Sequence, residues 1–158
     1  MSRSRTVLSL AVTVLCASAV MYAADMQVGT WKLNVAKSKY TPANLAPKSS
    51  TTKIEATADG GIKATVDAVD ADGKAIHYTF TAKYDGKDYP VVGDANRDTV
   101  AYKRIDDYTY ESTSKKGGKV TTTARTVISK DGKTRTNTVT GTNPQGVKVS
   151  NTQVYDKQ

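Results

Sequence analysis

The 158-residue chain carries 23 Lys and Arg against 15 Asp and Glu, a formal net charge of +8, and has one Cys, one His, one Trp and one Phe beside nine Tyr. A single His excludes multi-histidine metal centres and any catalytic relay beyond a lone imidazole. A single Cys excludes a disulfide framework, and the length is that of one domain.

Residues 1–24 are of a different kind from the rest. Arg3 and Arg5 precede the uncharged run 6–21, and small residues follow at Ala23 and Ala24. This is the pattern of a secretory signal peptide, and its apolar run is shorter than the roughly 18 residues of a membrane span. The small-x-small triplet Ala17-Ser18-Ala19 and the Ala24/Asp25 junction both offer cleavage points. The second fits the start of the folded part, which divides the chain into a leader over 1–24 and a domain over 25–158. The expected protein is exported, periplasmic or secreted, with no membrane span. Cys16 falls in the leader behind Leu15, where a lipobox requires a small residue, so the remaining domain has no thiol. Loss of Arg3 and Arg5 lowers the charge from +8 to about +6. That excess is spread over turns, as at Lys115-Lys116, Lys130 and Lys133, and forms no stripe that would track a nucleic acid backbone.

The folded part opens on residues 28–35, where Trp31, Leu33 and Val35 alternate with Lys32 and Asn34, the period of a strand with one apolar face. Gly29 leaves room for close approach of a neighbour, and Trp31 is placed to plug one end of a barrel. Residues 36–47 hold Pro42 and Pro47 and no helical period, so they read as a loop with at most one helical turn. Strands follow at 52–56 and 62–66 around the Asp59-Gly60-Gly61 turn, then past Asp72-Gly73 at 76–84, where Ile76, Tyr78 and Phe80 share a face. Pro90 marks 87–94 as a short edge strand or bent corner. Further strands are expected at 99–105, 108–112, 119–129, 133–141 and 147–155, joined by turns such as Gly117-Gly118, Asp131-Gly132 and Asn143-Pro144-Gln145-Gly146. Roughly nine strands with short connections leave no room for crossover helices, so neighbours are antiparallel. Pairing the first strand with the last removes both open edges. The expected fold is all-β, a single antiparallel up-and-down β-barrel of about eight to ten strands.

Gly29-Thr30-Trp31 at the head of the first strand resembles the lipocalin signature, and Gly29-Thr30-Trp31-Lys32-Leu33 also resembles the opening strand of the fatty-acid-binding proteins. Residues 151–157 resemble the closing strand of the latter, Cys-Thr-Arg-x-Tyr-Glu-Lys. Thr152, Tyr155 and Lys157 match, and Gln153 stands in place of the Arg. The resemblance implies a calycin barrel that carries a hydrophobic or amphipathic molecule, and in the fatty-acid-binding proteins that Arg and the Tyr hold the ligand carboxylate. Gln153 supplies only neutral donors, which weakens such a clamp. Arg125, ahead of Asp131-Gly132, has the parity of a second interior Arg of that family. In lipocalins an Arg from the last strands packs over the Trp, a role open here to Arg125 or Arg135 through a cation–π contact. In overall organisation the chain resembles small exported lipocalin-like bacterial proteins.

Tyr78, Phe80, Arg125, Gln153 and Tyr155 are therefore the candidate ligand-binding residues, and Gly29, Trp31 and Arg135 the candidate barrel-closing ones. With so few large apolar residues, the interior is completed by Tyr and Thr side chains and water, unless the many Thr follow β-propensity on the outer face. His77 sits opposite Tyr78 and Phe80 in parity, an outer position. Asp67, Asp70 and Asp72 lack the spacing of a calcium loop. No nucleophile motif, phosphate loop or paired-carboxylate cleft is present, so no catalytic residue, cofactor or metal is expected and the chain reads as a non-enzyme. The competing reading is a protein-interaction module without an internal ligand, such as a protease inhibitor, working through residues 37–47 or 87–97.

Overall fold

The computed structural model describes residues 25–158; the leader read in residues 1–24, with Cys16, lies outside them. Ten strands form one closed antiparallel barrel in meander order, with β1 (Gly29–Leu33) hydrogen-bonded to β10 (Lys148–Lys157). Between them run β2 (Ser49–Ala56), β3 (Ile62–Val69), β4 (Ala75–Ala82), β5 (Tyr89–Val92), β6 (Thr99–Arg104), β7 (Thr109–Lys116), β8 (Lys119–Ile128) and β9 (Thr134–Thr142). The closing register places Trp31 opposite Lys157 and Leu33 opposite Tyr155.

The first strand is shorter than its alternation predicts. Asn34 turns the chain out of the sheet: its side chain accepts a hydrogen bond from the Lys37 amide at 3.1 Å and caps the 3₁₀ turn Val35–Lys37, leaving Val35 exposed. A second 3₁₀ turn covers Ala43–Leu45. Between the turns the chain runs beside β10, with the Lys39 amide donating to the Thr152 carbonyl and the Thr152 amide returning the bond, each at 2.8 Å. The upper half of β10, which the short β1 does not reach, is covered in this way.

Pro90 lies in β5, which pairs through only two residues with each neighbour, Val91 and Val92 to β4 and Tyr89 and Pro90 to β6. The segment is a bent corner inside the closed sheet, since Pro has no N–H to give the ladder. Between β7 and β8 the register shifts at Ser114/Lys115, a bulge that leaves both Thr121 and Thr122 lining the interior. Gly141 faces this bulge with φ +149°, and a Cβ there would stand 2.1 Å from the Thr121 carbonyl oxygen.

The inward-facing side chains divide the barrel along its axis into two halves. At the end where β1 begins, Trp31, Leu33, Ile54, Ile62, Phe80, Ala82, Val100, Tyr110 and Ile128 form one packed cluster. At the other end the connections at 34–48, 70–74, 93–98 and 143–147 surround an opening. On β9 the residues Thr134, Thr136, Thr138 and Thr140 alternate with the inward set Arg135, Asn137 and Val139. Thr on this strand therefore follows β-propensity on the outer face, whereas Thr52, Thr121 and Thr126 are interior.

Candidate functional site

The base of the barrel is sealed by residues 25–28. Trp31 is fully buried, and its indole N–H donates to the Gln27 carbonyl at 2.8 Å. The Asp25 carboxylate accepts from the Tyr84 hydroxyl, from the Tyr110 hydroxyl at 2.9 Å and from the Gln27 amide at 2.9 Å. Burial first, and then the hydrogen bond to Asp25, hold both phenol pKa values well above the ordinary range. The cation over the indole is Lys157, whose ammonium lies 5.0 Å from the ring centroid. Gly29, at φ +139°, makes room for it, because a Cβ there would meet Lys157 Cε at 2.6 Å.

The expectation that Arg125 or Arg135 packs on Trp31 is corrected by this register. Lys157 is the direct β1–β10 partner of Trp31, whereas Arg135 is paired with Tyr155 and Ile128. The Arg135 guanidinium lies 5.6 Å over the Tyr155 ring instead. Arg125, expected in the lumen, lies outside it: it shares parity with Thr123 and Val127, is exposed, and donates to Glu111 at 2.9 Å. His77 is also exposed, 2.7 Å from Asp67 across β3 and β4.

Above the base lies a cavity of about 620 Å³, open at the mouth. Of the five residues expected to line it, Tyr78, Phe80, Gln153 and Tyr155 do so. They share the space with residues the sequence reading did not select, among them Tyr40, Arg97, Tyr102, Asn137 and the reassigned Arg135. The two sides of the cavity differ in chemistry. From β3 and β4 come Ala64, Val66, Ala68, Ile76 and Phe80, with Phe80 stacked on Tyr102 at 5.5 Å. From β9, β10 and the segment beside β10 come Arg135, Asn137, Gln153, Tyr155 and Tyr40.

Two arginines face this cavity in different electrostatic settings. Arg97, in the β5–β6 connection, donates from Nε to Asp94 at 2.6 Å and from one terminal nitrogen to the Tyr78 hydroxyl at 3.1 Å. Burial opposes its charge, but Tyr78 and Asp94 outweigh that and hold its pKa above the ordinary value. Arg135 is only 5% exposed, and its Nε has no hydrogen-bond partner. The Tyr40 hydroxyl is likewise buried without a partner. Burial, above all, raises the pKa of Tyr40, Tyr102 and Tyr155; the Arg135 cation opposes this at Tyr102 and Tyr155, while Tyr155 adds to it at Tyr40. These phenols therefore remain protonated donors near neutral pH.

The arrangement defines a class: a closed ten-stranded antiparallel barrel, plugged at one end and hollow toward the other, with one polar and one apolar wall. No protein-family model matches the chain, and no curated protein matches it by sequence.

Proposed function

We propose that this chain is an exported binding protein of lipocalin-like type that carries a small hydrophobic or amphipathic molecule inside its barrel, without chemical turnover. The observation that carries this reading is the cavity of about 620 Å³ behind an open mouth, within the size range of small-molecule sites. A barrel built only for rigidity fills its interior to the density of an organic crystal; this one is packed solid only around Trp31. The calycin resemblance of Gly29-Thr30-Trp31 supports the reading, and export rests on the leader pattern of residues 1–24. The segment 37–47, a candidate docking loop by sequence, is tied to β10 and contributes Tyr40 to the cavity wall.

Titration with the neutral fluorophore N-phenyl-1-naphthylamine tests it. Saturable one-site binding is expected in the wild type and its loss in Ala124→Trp, which fills the lumen from β8. If wild type binds neither this dye nor any member of a panel of apolar and amphipathic molecules, the carrier reading is wrong.

A further inference from the structure

The fold itself leaves Arg135 without electrostatic compensation. It projects from β9 into the cavity, almost entirely buried, and none of the ion pairs among the described residues includes it. Its Nε donor is unsatisfied, and the neighbour it does have, the Tyr155 ring, offers a π face and not a charge. An interior charge normally escapes this situation by neutralising, as Lys and His do, but a guanidinium cannot be deprotonated in a protein. A buried cation without a counter-charge is among the least favourable groups a fold can retain. Arg97 shows the usual remedy a few strands away, its Nε held by Asp94.

The surroundings of Arg135 supply what an incoming anion requires. Tyr155, Tyr102 and Tyr40 present neutral hydroxyls, and Gln153 and Asn137 present amides, all on the cavity surface. On the β3 and β4 side Val66, Ile76 and Phe80 suit an apolar body, and the Tyr78 hydroxyl beside them is already held by Arg97. We propose that the ligand is an organic oxyanion, a carboxylate, sulfate or phosphate monoester on an apolar body, whose charged group pairs with Arg135 while its body lies against β3 and β4. The inference rests on the carrier reading and names its ligand class. The two arginine positions of the fatty-acid-binding resemblance fall here on exposed Arg125 and neutral Gln153, not on Arg135. A guanidinium presents a planar fork of donors that matches two oxyanion oxygens at once, which is the geometry left open at this site.

Two dyes with the same ring system make the test: neutral N-phenyl-1-naphthylamine and its sulfonate, 1-anilinonaphthalene-8-sulfonate. Wild type is expected to bind the sulfonate on the order of 10- to 100-fold more tightly, the worth of a charge-assisted pair. Arg135→Met should bring the two affinities together with little change for the neutral dye. Should Arg135→Met not fold, Arg135→Lys carries the comparison, retaining part of the preference because it keeps the charge and loses the fork. Decanoate, decyl sulfate and decyl phosphate should displace the sulfonate and rank the oxyanions, whereas decanol should not. Equal wild-type affinity for the two dyes, or equal displacement by decanol, overturns the anion proposal and leaves the carrier reading standing. A sulfonate preference that survives unchanged in Arg135→Met moves the anion to another cation and overturns the role given to Arg135. Failure of both dyes and all four displacers to bind removes the carrier reading itself.

Discussion

Replacing Trp31 with Phe separates what the indole contributes by filling space from what it contributes by its N–H. The indole is fully buried and donates to the Gln27 carbonyl at 2.8 Å, which orients the segment that seals the base. Phenylalanine leaves that carbonyl without its donor, a cost of about 1–3 kcal/mol for a buried acceptor. The smaller ring also opens a void of about 40 Å³, which at about 24 cal/mol per Å³ adds roughly 1 kcal/mol. The expected destabilisation is therefore about 2–4 kcal/mol. Because the substitution removes the chain's only Trp, urea unfolding is followed by far-UV circular dichroism, with the midpoint expected to fall and the slope to stay constant. In a double-mutant cycle Lys157→Met should couple weakly to Trp31→Phe, since the ammonium lies over a ring face that Phe retains in part. A loss below about 1 kcal/mol with an unchanged slope refutes the reasoning, because the base is then held by something other than this bond.

Gly29→Ala should cost about 1–3 kcal/mol, since φ +139° is unfavourable for an L side chain and the new methyl meets Lys157. Adding Lys157→Ala should recover only the steric part in thermal melts, because the backbone strain remains. Stability against pH should be flat between two transitions. The phenols of Tyr40, Tyr84, Tyr102, Tyr110 and Tyr155 have folded-state pKa values raised above the ordinary value near 10. Their contribution is complete below about pH 10 and is lost as pH rises through the raised values. Absorbance at the phenolate band should therefore rise for these residues together with unfolding, and gradual ionisation of all Tyr in the folded state would contradict it. At the acid end, Asp59 is lowered to about 2 by Lys83 and then Thr57, and Asp98 is lowered by the Gly117 amide and then Lys116. Depressed carboxylates contribute above about pH 4, and that contribution is lost as pH falls toward 2. Melting temperature should decline across that interval, and less steeply in Asp98→Asn.

How much of this was legible in the sequence depended on whether a strand had an apolar face. In β4, Ile76, Tyr78 and Phe80 oppose His77 and Thr79, and hydrophobicity alone decides which side is inward. Turn residues did the rest for topology, since Asp-Gly and Gly-Gly pairs between alternating runs force antiparallel neighbours. The last strands offer no such guide. On β9 both faces are polar, Thr against Arg135 and Asn137, so periodicity cannot say which side is inside. The signal that settles it is symmetry about the Asp131-Gly132 turn, which sets inward Ile128 opposite Arg135. Arg125 fails for the same reason: it lies an odd number of residues from Ile128 and so on the other face. Arg97 was hidden differently. It lies in a connection rather than a strand, where charge reads as solvated turn, and the Asp94 pairing together with Tyr78 brings it over the mouth.

The division between base and lumen also makes a stability argument about Arg135. The packed cluster around Trp31 reaches Tyr155, the ring under Arg135, but neither the Asp25 seal nor any ion pair among the described residues holds the Arg135 guanidinium. Its burial without a counter-charge is thus a cost that the empty barrel bears, offset in part by the Tyr155 ring. Replacing such a charge with an apolar side chain of similar length is often neutral or stabilising by about 1–4 kcal/mol. Arg135→Met in the absence of ligand should therefore be at least as stable as wild type in urea. An organic anion at about 100 times its wild-type dissociation constant should raise wild type by about 2.7 kcal/mol and Arg135→Met, which binds it about 10- to 100-fold more weakly, by only about 0.4–1.4 kcal/mol. If Arg135→Met instead loses more than about 1 kcal/mol without ligand, then Arg135 holds the barrel together through Tyr155, and its burial is explained by structure and not by binding.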